Sequence, residues 1–232
     1  ADDLIAASWH RLEGIESGLA DRSRPAVCEL FAALCLSGLA MSAVASSAPL
    51  SGAEHLISHF LDMICLHDGG RRELHGCQVG VATLATLELY RYCLEFNSNG
   101  LDIEWCLHSH PSTTEYLQTI SRRLGPFADV FFSPPKKDSD EGLRDRLFQI
   151  KGHWREIALQ LRERLPAAAQ IRSRLEAARC PVSFAGIGVS QRLARHALLH
   201  GKDIRGRYTV LHFASDVGRL EGWTDSVLSK TR

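Results

Sequence analysis

One repeat limits the folds open to this chain more than any other feature. Between residues 141 and 165, Leu143, Leu147, Ile150, Trp154, Ile157 and Leu161 recur in alternating steps of four and three, and Arg and Glu fill the other positions. A period near 3.6 gathers these side chains on one face of a long amphipathic helix. The helix should stop near Pro166, whose ring has no N–H to donate and clashes with the preceding turn. Val27, Leu30, Phe31 and Leu34 give a second helical stretch over 24–41, and a further helix is expected over 167–178. Another starts after Ser190, a suitable N-cap, and carries Leu193, Ala197 and Leu198. Strand-like runs are scarce. Val130-Phe131-Phe132 is short and ends in Ser133-Pro134-Pro135, and the β-branched and aromatic run 208–213 continues as Ala-Ser-Asp-Val-Gly, which reads as a helix with a glycine end. With no βαβ alternation and no Gly-x-Gly-x-x-Gly, nothing here could be the sheet that holds a dinucleotide. The fold class expected is therefore all-α, a helical bundle, with breaks at 46–52, 68–70, 97–100 and 133–140. The last break holds two prolines and two lysines and reads as a surface loop.

The length of 232 residues is enough for a sizeable core in one domain spanning 1–232. The 27 basic and 27 acidic residues cancel, so no global field draws the chain toward nucleic acid or an anionic membrane. Neither a signal peptide nor an apolar run long enough to span a membrane is expected. Seven cysteines, an odd number with no C-x-x-C pair, read as reduced thiols in a cytoplasmic protein.

Chemistry concentrates in Ser51-Gly52-Ala53-Glu54-His55-Leu56-Ile57-Ser58-His59. Ser-x-x-Glu before an apolar run is a capping box, which predicts a helix from Ser51. His55 and His59 then lie one turn apart on one face, extended by Asp62, while Leu56, Ile57, Phe60, Leu61 and Ile64 bury the others. Imidazoles on a buried helix need partners, and a metal ion is one. Twenty residues on comes Leu74-His75-Gly76-Cys77-Gln78-Val79-Gly80-Val81, after a turn at Asp68-Gly69-Gly70. Gly76 and Gly80 would permit close approach of a backbone or ligand, and two antiparallel helices would bring His55 and His75 together. A carboxylate from elsewhere would complete a site with an open position. From spacing alone, hydrogen-bonded core histidines remain the other reading. His67, His108, His110, His153, His196, His200 and His212 are assigned to surface or structural places.

The two histidine segments resemble the paired motifs of the glycerol-1-phosphate dehydrogenases, within the larger group of iron-containing alcohol dehydrogenases and dehydroquinate synthase. Leu36-Ser37-Gly38-Leu39-Ala40-Met41-Ser42, Gly186-Ile187-Gly188-Val189-Ser190 and Arg205-Gly206-Arg207-Tyr208-Thr209-Val210-Leu211 continue the likeness. The resemblance implies the helical C-terminal domain of a two-domain enzyme. An N-terminal α/β domain, expected outside this chain, would bind NAD or NADP. The start at Ala1-Asp2-Asp3-Leu4, with no initiator Met, reads as a fragment of a longer chain or its ordered remainder. The family's ligands are two His and an early Asp. His55 and His75 match the first two, and Asp3 matches the third if Asp3-Leu4-Ile5-Ala6 stands for the family's Asp-Leu-Leu-Ala, with Asp2 one residue away. Zinc is the first choice of metal, and nickel or iron also suit such a set. The implied partner is a small phosphorylated polyol or ketone, in lipid metabolism, with homo-oligomer formation left open. His59 would orient substrate or relay a proton, or else support the ligands. Two departures stand out: Ala48 replaces the arginine of the family's Ser-Ser-Arg-Pro row, and Ala7 replaces a lysine after the early Asp run. The interval from Asp3 to His55 is also shorter than the family keeps. A related sugar-phosphate cyclase or oxidoreductase, and a non-catalytic helical domain, remain the alternatives.

Overall fold

A computed structural model describes residues 1–67, 72–125 and 140–230. Among these residues every regular element is helical, and there is no strand. In chain order the α-helices are α1 (Asp2–Arg11), α2 (Glu16–Ala20), α3 (Arg24–Ala43), α4 (Ala53–His67), α5 (His75–Glu95), α6 (Ile103–Ser109), α7 (Thr113–Leu124), α8 (Asp140–Arg164), α9 (Ala168–Ala177), α10 (Gln191–His200), α11 (Val210–Asp216) and α12 (Leu220–Lys230). Short 3₁₀ turns include Ala48–Leu50 ahead of α4 and Gly201–Ile204 after α10. The expected run 130–132, the loop 133–139 and the turn 68–70 lie outside the described residues.

Helix starts follow side-chain chemistry. Ser23 accepts from the Ala26 N–H with Pro25 in the first turn of α3. Ser112 and Glu115 form a reciprocal capping box on α7. Ser190 caps α10 through the Leu193 N–H at 3.2 Å, as its sequence predicts. The run 208–213 becomes α11, closed by Gly218 at φ +67°. A left-handed residue there costs glycine nothing.

The core is one continuous cluster centred on α5, which buries Val81, Ala82, Ala85, Leu89 and Cys93. Around it pack α4, α8, α9, α11 and α12. The long helix α8 turns Leu143, Leu147, Ile150 and Trp154 inward. Trp154 stacks on Phe213 with ring centres 4.0 Å apart and donates Nε1–H to the Cys93 carbonyl at 3.2 Å. Ile157, on the same stripe, is exposed, while Ala158 is buried in the core and Leu161 packs against it. The buried Asp216 carboxylate accepts from Arg146 on α8 and from the Tyr208 hydroxyl, which ties α8 to α11. All seven cysteines are free.

The N-terminal helices form a separate layer. α1 lies on α3, where Ser8 donates to the Ala33 carbonyl at 2.8 Å and meets Ser37 Oγ at 2.9 Å. This layer joins the body where Arg174 on α9 binds Glu16 and the Leu12 carbonyl. The buried face of α3 is Ala26, Ala33 and Ala40, whereas Val27, Phe31, Leu34 and Leu39 are exposed by 48–69%. One sequence expectation needs correcting here. α3 has 20 residues and a mean hydropathy of 1.8, so by length and composition it is long and apolar enough to cross a membrane.

Candidate metal and substrate site

The site begins with α4. Leu56, Ile57, Phe60, Leu61 and Ile64 are nearly inaccessible and face the core, as their spacing predicts. The remaining stripe carries His55, His59 and Asp62. The Ser51 capping box does not form, and α4 starts at Ala53. The Glu54 carboxylate instead accepts from the Gly52 N–H at 2.7 Å and from His55 Nδ1 at 2.9 Å. Burial acts to raise the Glu54 pKa, but the bonds from His55 and Gly52 outweigh it and hold the carboxyl below its usual range.

The first turn of α5 lies against α4. His75 is 5.3 Å from His55 and 5.8 Å from His59, ring centre to ring centre, and His55 is 6.5 Å from His59. The meeting point differs from that of a tight antiparallel hairpin, where His75 would face the end of α4. Here it faces the first half of α4. Gly76 meets nothing within 4 Å of a built Cβ, and Gly80 meets only Leu175 at 3.7 Å. No backbone approaches either glycine closely.

Two residues that the sequence reading did not single out, Ser58 and Gln78, orient His75. Its Nδ1 is 3.0 Å from Ser58 Oγ, and Ser58 donates to Gln78 Oε1 at 2.7 Å. Gln78 in turn donates from Nε2 to Asp62 Oδ1 at 3.1 Å. Because the Ser58 proton goes to Gln78, the serine oxygen accepts from His75 Nδ1–H, and the lone pair falls on Nε2. His55 follows the same rule, donating Nδ1–H to Glu54 and leaving Nε2 as the acceptor. This is how proteins fix the tautomer and orientation of metal-binding imidazoles. Ser58 and Gln78 are 0% and 3% exposed, so the relay is shielded from water. Spacing could have revealed it, since Ser58 is one helical step from His55, and Gln78 is three residues after His75 on the same face. Replacing Ser58 with Ala should weaken divalent-metal binding by about 10- to 100-fold while α4 stays folded. Titration with a competing chelator, alongside the far-ultraviolet circular dichroism spectrum, reads both.

His59 is held below the usual histidine range, first by burial, then by Arg205, His75 and His55, with Asp62 opposing. It is a neutral imidazole near neutral pH. The donor chemistry suits a divalent cation in part. Two imidazoles on one tetrahedral ion, at Zn–N of about 2.0–2.1 Å, have ring centres about 5 Å apart. His55 and His75 meet that condition. Asp3 is exposed on the first turn of α1, and α1 packs on α3. Among the described residues no group of three or more His, Cys, Asp or Glu side chains is arranged to hold a metal ion.

The segment after α10 closes over α4. At Gly201 a Cβ would stand 3.4 Å from Ile57 N and Leu56 C, so the 3₁₀ turn rests directly on the α4 backbone. Farther on, Arg207 reaches the Ser51 carbonyl and Ser47 Oγ, fixing the chain that enters α4. Ala48, within that entry, is exposed.

Comparison with known proteins gives no matching family model and no matching solved structure. Curated relatives do match. Glycerol-1-phosphate dehydrogenase (NAD(P)+) of Bacillus licheniformis is 26% identical over 204 residues, covering 88% of this chain and 38% of the relative. The protein of the same name from Bacillus velezensis is 29% identical over 82% of this chain and 36% of its own length. That of Natronomonas pharaonis reaches 55% identity over 58 residues, 25% of this chain and 15% of its own. The chain thus spans under two-fifths of the length of these curated relatives. By sequence, this helical bundle is similar to part of the longer glycerol-1-phosphate dehydrogenases.

Proposed function

We propose that residues 1–232 are the metal- and substrate-binding helical domain of an NAD(P)-linked oxidoreductase that interconverts glycerol 1-phosphate and dihydroxyacetone phosphate. One observation carries the reading: imidazoles from two separate sequence motifs converge with both Nδ1 atoms occupied by hydrogen-bond partners. His55 and His75 would hold a divalent metal, zinc first, through Nε2. Asp3 is the carboxylate that the resemblance supplies, although it stands on the exposed face of α1. A cation there supplies Lewis acidity toward a hydroxyl or ketone oxygen. His59, its ring centre 5.8 Å from that of His75, would hold or pass the proton of that oxygen. The nicotinamide cofactor would be bound outside this helical unit, which has no sheet among its described residues.

The test is metal removal. The protein that carries this chain is stripped with a chelator, then reloaded separately with zinc, nickel or iron. Oxidation of NADH and NADPH is followed with dihydroxyacetone phosphate. Turnover should vanish on stripping and return with one metal per chain. An Asp3→Ala variant that binds metal as tightly as the unaltered protein would remove Asp3 from the ligand set. If the stripped protein keeps full activity, or no metal is taken up, the metal-dependent reading fails and a non-catalytic helical domain becomes the better account.

A further inference from the structure

We propose that the outer face of α3 is a docking surface for a second copy of this chain, whose own α3 lies against it antiparallel. The inference is independent of the dehydrogenase reading. α3 lays one side on α1, with Ala26, Ala33 and Ala40 buried, and packs otherwise on α2 and the turn at Ala48–Leu50. Its opposite side shows Val27, Phe31, Leu34 and Leu39 to solvent. Glu29, the one acidic residue of the helix, is bound to Arg11 of α1 at 2.8 Å. That leaves Arg24, at the start of α3, as the one charge among its outward residues. Twenty residues make a face about 30 Å long, and half the surface of such a helix is about 500 Å². Apolar patches of this size are often binding surfaces. A pair of copies would bury about 1,000 Å², the threshold for a specific interface.

The face is complementary to itself when one copy is reversed. The large side chains Val27, Phe31 and Leu34 occupy its first half. Cys35, Gly38 and Ser42 occupy the second half, with Leu39 at its edge, and all are exposed. A Cβ built on Gly38 would meet nothing within 4 Å, so the face has an open notch there. A two-fold axis near the middle of α3 sets the large half of each copy on the small half of the other. Charge agrees with this arrangement. Reversal brings Arg24 beside the end of the other helix, where the last carbonyls carry partial negative charge. A parallel pair would instead set Arg24 beside its counterpart. Two other occupants fit less well. A lipid surface favours helices rich in Lys and Arg beside the apolar face, and α3 has only Arg24. The cofactor-bearing part of a longer chain would have to reach His55 and His75 on α4 and α5, whereas α3 packs on α1 and α2.

The measurement is sedimentation of the protein that carries this chain over a concentration series. The unaltered protein should associate reversibly into a dimer. Leu34→Glu should raise the dissociation constant by about 100-fold or more, because it sets two like charges in a desolvated contact. Gly38→Leu adds no charge and favours helix, yet should weaken the pair by about tenfold or more by filling the notch. The circular dichroism spectrum should stay unchanged in both. A short bis-maleimide should join two copies through Cys35, near the axis, while Cys28 stands about 20 Å from its counterpart. Crosslinking should therefore be lost in Cys35→Ser and kept in Cys28→Ser. Crosslinking that survives Cys35→Ser, or a dimer of unchanged affinity in Leu34→Glu, would overturn the proposal. So would a monomer at every concentration. In such a monomer, a Cys35 closed to a monofunctional maleimide assigns the face to the rest of the polypeptide. Sedimentation with vesicles of phosphatidylcholine and phosphatidylglycerol, abolished by Leu34→Glu, assigns it to a lipid surface.

Discussion

Removing either of two imidazoles should empty the site, while removing the third should leave it loaded but idle. His55→Ala and His75→Ala are each expected to weaken divalent-metal binding by about a hundredfold or more. Closed four-ligand zinc sites bind with apparent free energies of about 10–16 kcal/mol, roughly 3 kcal/mol per ligand, and each 1.4 kcal/mol is a factor of ten. His59→Ala should keep the metal and lose about 10²- to 10⁴-fold in kcat, the range typical of a positioned acid–base group. The contrast follows from hydrogen bonding. His55 and His75 each have Nδ1 tied to an acceptor, Glu54 and Ser58, so each presents Nε2 outward. His59 has no such support and is the imidazole held below its usual pKa, first by burial and then by Arg205. Metal content by mass spectrometry and steady-state rates separate the two behaviours. Full metal occupancy in His75→Ala would show that the convergence at 5.3 Å is only packing. Loss of metal in His59→Ala would make it a ligand instead of a proton carrier.

The long helices were legible because burial imposes a period that sequence displays, whereas the helices over Glu16–Ala20, Ile103–Ser109 and Thr113–Leu124 were not read from it. The face each helix turns inward was less so. In α3 the apolar stripe Val27, Phe31 and Leu34 marks a helix, yet the buried residues are Ala26, Ala33 and Ala40. Small side chains at seven-residue spacing let α1 approach closely enough for Ser8 to bond the Ala33 carbonyl, so size and not hydrophobicity chose that face. At the start of α4 the local rule lost to tertiary structure. Ser51 and Glu54 have capping-box spacing, but the Glu54 carboxylate is taken by the Gly52 N–H and by His55, while Arg207, bound to the Ser51 carbonyl and Ser47 Oγ, fixes the chain ahead of the helix. Arg207 lies far outside the four residues the rule reads. The meeting of His55 and His75 was legible, whereas Ser58 and Gln78 were hidden by ordinary composition. A serine and a glutamine on helices carry no signal until a histidine ring is placed between them. Asp3 is the reverse case: a motif match suggested it, and no local pattern determines where α1 packs.

Phe60→Ala should be the most destabilising single change along α4, costing about 3–5 kcal/mol in the absence of metal. Phe60 is 0% exposed, one residue from His59 but on the opposite face, and is among the largest fully buried side chains. Its loss removes apolar contact and leaves a cavity that a close-packed core cannot refill. A domain of this kind is stable by about 5–15 kcal/mol, so the loss is a large share of the total. The measurement is a urea unfolding curve of the metal-stripped protein, where the midpoint should fall with an unchanged slope. The histidine face need not change in the molecules that remain folded. Added metal should therefore recover part of the lost stability, because binding to the native state alone shifts the equilibrium by mass action. Recovery in Phe60→Ala but none in a Phe60→Ala/His75→Ala double variant would establish that the site is one face of a helix whose other face is core. If the single variant kept its unfolding free energy within about 1 kcal/mol, Phe60 would not be the core residue its burial makes it, and α4 would lose its role as the rigid support for the imidazoles.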